Sequence, residues 1–165
     1  MVKGSTLIVL ALHFFATTWV IATNRTIDDQ FGDSHSGVKP TYLSSENDIW
    51  KSHRCTSCFG GSYLAATILP STVVNLTLKF EGTAIWVYFI LGSDLAKVSF
   101  FMDNNRSPTH LQDAGRVTRT IKPTQNALVY SETGLMMGSH KLLITVSDSQ
   151  ETVFVAFDFA RYQWI

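Results

Sequence analysis

Residues 71–80 read STVVNLTLKF and contain the pattern that decides the fold. Every second side chain from the fourth residue onward is large and apolar: Val74, Leu76, Leu78 and Phe80. This alternation is typical of a β-strand with one buried face and one face in water. The dipeptide Glu81-Gly82 is predicted to turn the chain. Residues 83–91 then form a β-branched and aromatic run that suits a central strand covered on both faces.

Further strands are predicted in the C-terminal half. Residues 97–103 form one strand, and Asp103-Asn104-Asn105 is predicted to be a hairpin tip because these residues tolerate positive φ. Gly138 opens the next strand, and residues 152–162 form the last one. The predicted inward-facing residues of the first two strands are Val98, Phe100, Met102, Leu142, Ile144 and Val146. Short strands separated by Gly, Asp, Asn and Ser turns predict an all-β fold, an antiparallel β-sandwich.

The first 22 residues have the composition of a secretory signal peptide. Lys3 supplies one positive charge, residues 6–22 contain no Asp, Glu, Lys or Arg, and Val20-Ile21-Ala22 precedes the expected cleavage point. The alternative is an uncleaved segment that anchors the protein in the membrane, because this apolar stretch is at the lower limit of spanning length. We expect cleavage, and therefore a secreted, extracellular protein.

Removal of residues 1–22 leaves 165 − 22 = 143 residues, the usual size of one domain. Residues 23–70 are polar and lack helical periodicity, so we expect an irregular segment that packs on the sandwich strands of residues 71–165. Without Lys3, twelve Lys and Arg balance thirteen Asp and Glu, which argues against a nucleic-acid partner. No membrane span is predicted in the mature chain.

Three sequons fit a secretory route, and they make Asn24, Asn75 and Asn105 candidate glycosylation sites. Cys55 and Cys58 are the only cysteines, and in an oxidising compartment they are predicted to form a disulfide. A redox-active pair or half of a zinc site are the alternatives. Zinc would need two more ligands, and His53 is the sole nearby candidate.

Acidic residues suggest one metal site. Asp28, Asp29 and Asp33 place three carboxylates within six residues, and Ca²⁺ prefers several oxygen ligands from such acidic loops. Asp158 lies in the apolar last strand, where a buried carboxylate needs Arg161, a hydroxyl or a cation as its partner. The candidate calcium ligands are therefore Asp28, Asp29 and Asp158. The alternative is ordinary turn capping without any cofactor.

Tryptophan side chains are candidate sugar platforms, because an aromatic ring suits the C–H face of a pyranose. Trp50 and Trp164 lie in polar or terminal surroundings and are the candidate ligand-binding residues, although both could simply pack. Trp86 lies in the most apolar run and is predicted to belong to the core.

The chain resembles a large family of fungal (basidiomycete) proteins that are secreted or membrane-anchored. The strings that carry the resemblance are NRTIDDQFGDS (24–34), CTSC (55–58), LKFEGTAIWVY (78–88), FFMD (100–103), GSHKL (138–142) and FDFARY (157–162). The resemblance implies a galactose-binding-like jelly roll and a largely uncharacterised function. Domains of this kind often carry a structural calcium ion, whereas the expectation for this chain is no cofactor, with calcium as the alternative. Residues 59–70 depart from the family, because they are too short for its Gly-Thr-Trp-His-Asp-like loop. Many members also continue into a transmembrane helix, which we do not expect after Ile165.

The sequence thus predicts a secreted, non-catalytic module that recognises a cell-wall polysaccharide or a surface glycan. The alternative is a structural or protein-interaction ectodomain without small-ligand binding. An esterase or glycosidase is the third hypothesis. No Gly-x-Ser-x-Gly or His-Glu-x-x-His motif occurs in the sequence, and no carboxylate pair is identifiable as a glycosidase dyad.

Overall fold

The computed structural model describes residues 21–45, 49–91, 98–106, 124–147 and 152–165. Within these ranges the chain forms ten β-strands, one 3₁₀ turn at Phe59–Gly61 and no α-helix. The strands are β1 (Thr23–Asp28), β2 (Gly32–Asp33), β3 (Thr41–Ser44), β4 (Trp50–Arg54), β5 (Ser62–Ile68), β6 (Val74–Leu91), β7 (Val98–Met102), β8 (Asn105–Arg106), β9 (Thr124–Val146) and β10 (Val153–Trp164). Residues 1–20 of the predicted signal peptide lie outside the described residues.

Strand β6 is central, and its first half follows the predicted alternation. Its four predicted apolar residues are all buried in the main hydrophobic core: Val74, Leu76, Leu78 and Phe80. The turn predicted at Glu81-Gly82 is wrong, because β6 continues through both residues to Leu91. The even-numbered residues of β6 face the core as far as Phe80. Beyond the irregularity at Gly82–Ala84 the odd-numbered residues do so instead, namely Ile85, Val87 and Phe89. This switch is here called the parity change. An irregularity in the ladder exchanges the two faces of a strand in this way.

Gly82 is required at the irregularity by the close approach of β10. A Cβ atom at this position would lie 2.2 Å from the backbone oxygen of Gln163. Gly82 pairs with Gly138 of β9, and the next pair is Ala84 with Thr133, so residues 134–137 have no partner on β6. Strand β9 therefore also runs through this point, and the prediction that Gly138 opens a new strand is wrong.

The halves of β6 and β9 on either side of Gly82 belong to two layers. The back layer contains β3, the first half of β6, the second half of β9, β7 and β8. The front layer contains the first half of β9, the second half of β6, β10, β1 and β2, with β5 and β4 beside the start of β10.

Aromatic rings from the two layers meet in the core between them. Phe100 of the back layer stacks on Tyr130 of the front layer with a centroid distance of 4.5 Å, and Phe80 packs on Tyr162 at 5.6 Å. All the strand pairs are antiparallel. The all-β antiparallel sandwich predicted from the sequence is therefore confirmed.

The hairpin predicted between β7 and β8 is also present. Asp103 and Asn104 have φ values of 50° and 65°, which is the left-handed conformation that a two-residue type I′ turn requires. The residues predicted to face inward on β7 are buried: Val98, Phe100 and Met102. Asp103 and Asn104 thus adopt the positive φ values that the sequence predicts for them.

His140 ties this hairpin to the segment of β9 that leaves the ladder. Its Nδ1 atom lies 2.6 Å from Asp103 Oδ2, and its Nε2 atom lies 2.8 Å from the carbonyl oxygen of Met136. A neutral imidazole has one N–H, so two acceptors favour the doubly protonated ring. Burial alone would lower the pKa of His140, but the hydrogen bonds to Asp103 and Met136 outweigh it and the net pKa is raised.

We predict that Gly82→Ala lowers the free energy of unfolding by about 1–3 kcal/mol, because the new methyl group must displace the backbone of Gln163. Gly138→Ala is the matched control. Its Cβ would have 3.9 Å to the nearest atom, the Met136 oxygen, so we expect a change below about 0.5 kcal/mol. Urea unfolding followed by circular dichroism measures both variants. Equal stabilities would contradict the packing argument at Gly82.

Candidate functional site

The outer surface of the front layer, here called the front face, carries two aromatic residues of β6. Because Ile85, Val87 and Phe89 face the core, Trp86 and Tyr88 face outward, and both are half-buried. The prediction that Trp86 belongs to the core is therefore wrong. The cause is the parity change at Gly82–Ala84, since continued alternation from Val74 would have turned the indole inward.

Three aromatic rings form a stack next to Trp86. Tyr88 of β6 stacks on Phe159 of β10 at 4.5 Å with an interplanar angle of 9°, and Phe59 stacks on Phe159 at 4.6 Å. Phe159 is buried between its neighbours, whereas Phe59 is 36% exposed. Phe59, Phe159 and Tyr88, here called the aromatic stack, therefore present their outer surface on the front face.

A row of polar side chains continues from Trp86 across the neighbouring strands. Arg161 of β10 is paired directly with Trp86, Thr26 of β1 is paired with Arg161, and Ser131 of β9 is paired with Trp86 on its other side. Directly paired residues share one face of a sheet, with Cβ atoms about 4.5–5.5 Å apart. Arg161 and Ser131 are exposed and Thr26 is half-buried. The front face thus combines ring surfaces with hydrogen-bonding groups.

The two tryptophans predicted to bind ligand lie elsewhere, and both pack against the main core. Trp50 contacts Tyr42 at 5.1 Å between ring centroids, and its buried indole Nε1 has no hydrogen-bond partner. The ring of Trp164 is covered by the Arg25 guanidinium, 4.4 Å from the ring centroid. The ring surfaces of both residues are thus used within the fold. Their role in ligand binding stays a prediction, which the geometry does not favour.

The predicted disulfide between Cys55 and Cys58 is present, with the Cα atoms 5.3 Å apart. It excludes free thiols for a zinc site, and the nearby His53 stacks on Tyr63 at 5.1 Å. Cys58 belongs to a small apolar cluster on the front layer with Ala65, Ile90 and Ala156. The cysteine loop is thereby fixed over one end of the front face, directly before Phe59.

Asp158 lies at a β-bulge in β10. Phe157 is paired with Phe89 and Phe159 with Tyr88, so Asp158 is the extra residue between them. The bulge interrupts the alternation of β10, so Asp158 and Tyr162 lie on opposite faces although they are four residues apart. Asp158 has 0% exposure and is held by the backbone N–H of Phe59, which donates to its Oδ1 at 3.1 Å. Its Oδ2 atom is buried and has no partner.

Asp28 and Asp29 are buried at the end of β1, the strand beside Phe159. The backbone N–H groups of Gln30 and Phe31 donate to Asp28 Oδ1 at 2.9 and 2.8 Å, which is the expected turn capping. Asp28 Oδ2 is buried without a hydrogen-bond partner. Asp29 accepts a hydrogen bond from the Ser62 hydroxyl at 3.1 Å.

The 3₁₀ turn brings these carboxylates together. A Cβ atom on Gly60, which has φ 64°, would lie 2.3 Å from Asp28 Oδ2, while the preceding residue Phe59 binds Asp158. Asp28 and Asp158 therefore meet at Phe59-Gly60. Together with Asp29, whose charge acts on Asp158, they are here called the aspartate cluster. Asp33 is used differently, because its Oδ1 accepts a hydrogen bond from the Tyr162 hydroxyl at 2.8 Å.

Burial and mutual repulsion perturb the aspartate cluster. Burial, followed by the charge of Asp28, raises the pKa of Asp29 to about 6. Burial also raises the pKa of Asp158 to about 6, with further contributions from the charges of Asp29 and Asp28. Three carboxylates that influence one another in this way lie near one another. No group of three or more His, Cys, Asp or Glu side chains in the described part of the chain has the spacing of a ready metal site.

The candidate glycosylation sites lie on different surfaces. Asn24 is exposed on β1, where it is paired with Gln163. Asn75 is half-buried on the outer side of the back layer, and its Oδ1 accepts a hydrogen bond from the Thr145 hydroxyl at 2.8 Å. Asn105 is exposed directly after the β7–β8 turn.

No protein-family model matches the sequence, and no curated protein matches it. Among solved structures, the chain is similar to TmCBM61, a carbohydrate-binding module solved in complex with β-1,4-galactotriose. The identity is 10% and the TM-score 0.47, over 75% of this chain and 88% of that one. It is also similar to the enzymatically active domain of tailspike protein 4 of bacteriophage CBA120. There the identity is 10% and the TM-score 0.39, over 75% of this chain and 19% of that one. At this identity and overlap, neither likeness says what this chain binds.

The described residues contain no helix with the length and apolarity of a membrane span.

We predict that Asp158→Asn makes stability less dependent on pH when calcium is chelated. The raised pKa of Asp158 means that the folded protein holds the proton more tightly than the unfolded chain. Wild-type stability should therefore fall as the pH rises from about 4 through about 6, whereas asparagine does not titrate. In urea titrations, the free energy of unfolding of Asp158→Asn minus that of the wild type should be larger at pH 7.5 than at pH 4.5. The exposed Glu81→Gln is the control, and parallel pH profiles for all three proteins would contradict this prediction.

Proposed function

We propose that this chain is a secreted, non-catalytic module that binds carbohydrate on its front face. The observation that carries the proposal is the outward-facing Trp86, which stands between the aromatic stack and the polar residues Arg161, Thr26 and Ser131. A pyranose ring has an apolar C–H face that suits an indole and a rim of hydroxyl groups that need hydrogen bonds. The front face offers both kinds of contact side by side.

The shape of the site favours an extended ligand. Trp86 and Tyr88 lie two residues apart on one strand, so their Cα atoms are about 6.5 Å apart. Phe159 and Phe59 prolong this apolar track across the sheet. An open surface of this kind suits a polysaccharide chain, in agreement with the cell-wall polysaccharide or surface glycan expected from the resemblance to fungal proteins.

The aspartate cluster supports a binding role over a catalytic one. A glycosidase needs two carboxyl groups that reach the sugar across a cleft. Asp158 is 0% and Asp28 3% exposed, and both are held beneath the Phe59 turn. Their surroundings keep them away from any ligand on the front face.

A protein-interaction ectodomain is the second candidate. The observation that favours it is Leu128 of β9, which is paired with Tyr88 on the front face and is 42% exposed. An aliphatic side chain beside exposed rings suits a protein partner as well as a sugar. The two functions differ in whether isolated polysaccharides bind.

Secretion is supported by the disulfide. The bond between Cys55 and Cys58 persists in oxidising compartments, which agrees with the signal-peptide composition of residues 1–22. Cleavage after Ala22 would leave Thr23, the first residue of β1, at the new N-terminus. We therefore include glycosylation at Asn24, Asn75 and Asn105 in the proposal.

We also propose that the aspartate cluster binds Ca²⁺. Asp28 Oδ2 and Asp158 Oδ2 are buried oxygens without partners, which fits a group that needs hard oxygen ligands. Asp29 adds a third carboxylate to the same region. Because the three side chains alone do not have the spacing of a metal site, backbone carbonyl groups and water would complete the ligands. A bound cation would remove the repulsion that raises the pKa of Asp29 and Asp158.

We predict that Trp86→Ala weakens polysaccharide binding about 10-fold to 100-fold without unfolding the protein, because one aromatic ring face is lost from the site. Phe101→Ala is the matched control, since Phe101 is a half-buried aromatic residue on the outer side of the back layer. Binding is measured by affinity electrophoresis and calorimetry on fungal wall polysaccharides. An unaltered affinity in Trp86→Ala would remove the proposed site, and no binding by the wild type would favour the protein-interaction alternative.

We predict that Ca²⁺ at 100 times its Kd stabilises the wild type by about 2.7 kcal/mol at pH 7.5. The effect should shrink as the pH falls below about 6, because Asp29 and Asp158 then hold protons. Asp28→Asn and Asp158→Asn should abolish the stabilisation, whereas Glu81→Gln should retain it. Thermal unfolding with calcium, magnesium or chelator measures the effect. Equal stability in calcium and chelator would rule out the site.

A further inference from the structure

We infer that the polysaccharide bound on the front face is acidic, and that Arg161 binds the carboxylate of a uronic acid. This inference rests on the proposed carbohydrate site at Trp86. It adds the chemical class of the ligand and a residue that determines specificity.

The position of Arg161 carries the first step. It is paired with Trp86 on β6 and with Thr26 on β1, so its side chain starts beside the indole on the same face. The Cβ atoms of directly paired residues are about 4.5–5.5 Å apart. The guanidinium is therefore within reach of the rim of a sugar ring that lies on Trp86.

The charge of Arg161 has no internal use in the part of the chain that the structure describes. Arg161 is exposed and makes no ion pair with the described residues. Arg25 is the contrasting case, because it lies on the opposite side of the same strand pair and covers the ring of Trp164 at 4.4 Å. Arg25 is thus used in packing, whereas Arg161 is exposed on the front face.

Two acidic side chains on the strands around Arg161 are buried. Asp28 and Asp158 are buried beneath the Phe59 turn, and the charges that raise the pKa of Asp158 are those of Asp29 and Asp28. The exposed charge in the Trp86 row is therefore a cation. An anionic ligand would meet it without displacing a carboxylate of the protein.

The geometry of a uronic acid matches this arrangement. Its carboxylate projects from the edge of the pyranose ring, so a ring stacked on Trp86 directs the carboxylate sideways along the sheet. A planar guanidinium binds a carboxylate through two parallel N–H donors, which lysine cannot reproduce. Thr26 and Ser131 remain for the hydroxyl groups of the same or the neighbouring sugar.

The test compares polygalacturonate with the same polymer after chemical reduction of its carboxyl groups, which leaves the chain intact and neutral. The secreted, calcium-loaded protein should bind the acidic polymer about tenfold or more tightly than the reduced one, as expected for a charge-assisted hydrogen bond. Raising the salt concentration from 50 to 500 mM should weaken binding of the acidic polymer only.

The variants separate the role of Arg161 from that of the site. Arg161→Gln should bind both polymers with the weaker affinity, and Arg161→Lys should retain part of the preference. Lys79→Gln removes one exposed charge from the outer side of the back layer and should change nothing. Trp86→Ala should weaken binding of both polymers about 10-fold to 100-fold.

Each contrary result has a distinct meaning. Equal affinity for the two polymers, a preference that survives in Arg161→Gln, or tighter binding of a sulfated galactan overturns the inference. In those cases the carbohydrate site at Trp86 stands as long as Trp86→Ala weakens binding about 10-fold or more. If the wild type binds no polysaccharide in any form, the proposed function fails together with the inference.

Discussion

The close approach of β10 to Gly82 is the constraint on which the rest of the structure depends. The backbone oxygen of Gln163 occupies the space that a side chain at position 82 would need, so β6 has glycine where it passes β10. Here the two faces of β6 exchange roles, and its second half joins the front layer. The core therefore receives Leu78 from one half and Val87 from the other. The same exchange turns Trp86 away from the core and places it on the front face, where we propose that the ligand binds.

Phe59 connects the chemistry of this surface. The disulfide fixes the chain immediately before it, its N–H group holds Asp158, and its ring lies on Phe159. The buried carboxylates and the aromatic stack thus both involve Phe59. A cation bound at the aspartate cluster would stabilise the turn that positions the outermost ring of the stack. If both proposed sites exist, metal affinity and ligand affinity would be coupled through this shared residue.

Local patterns in the sequence predicted a good part of the fold. The alternation from Val74 to Phe80 identified a half-buried strand, and Asp103-Asn104 identified the turn after β7. The disulfide was predicted from two cysteines together with the expectation of an oxidising compartment, and the bond is present. The sequence did not reveal that β6 and β9 each run through both layers, because the parity change depends on contacts between strands distant in sequence. The bulge at Asp158 has the same origin. For Trp86, the order Ile85-Trp86-Val87-Tyr88-Phe89 held a usable signal, since aliphatic and amphipathic residues alternate there.

The margins of the sheet have a consequence for the protein at high concentration. Strands β2 and β8 contain only two residues each, and β4 carries Lys51, His53 and Arg54 on exposed positions. Short or charged margins give an incoming chain few free backbone groups with which to pair. At these three margins the protein is thereby protected against edge-to-edge aggregation into fibrils.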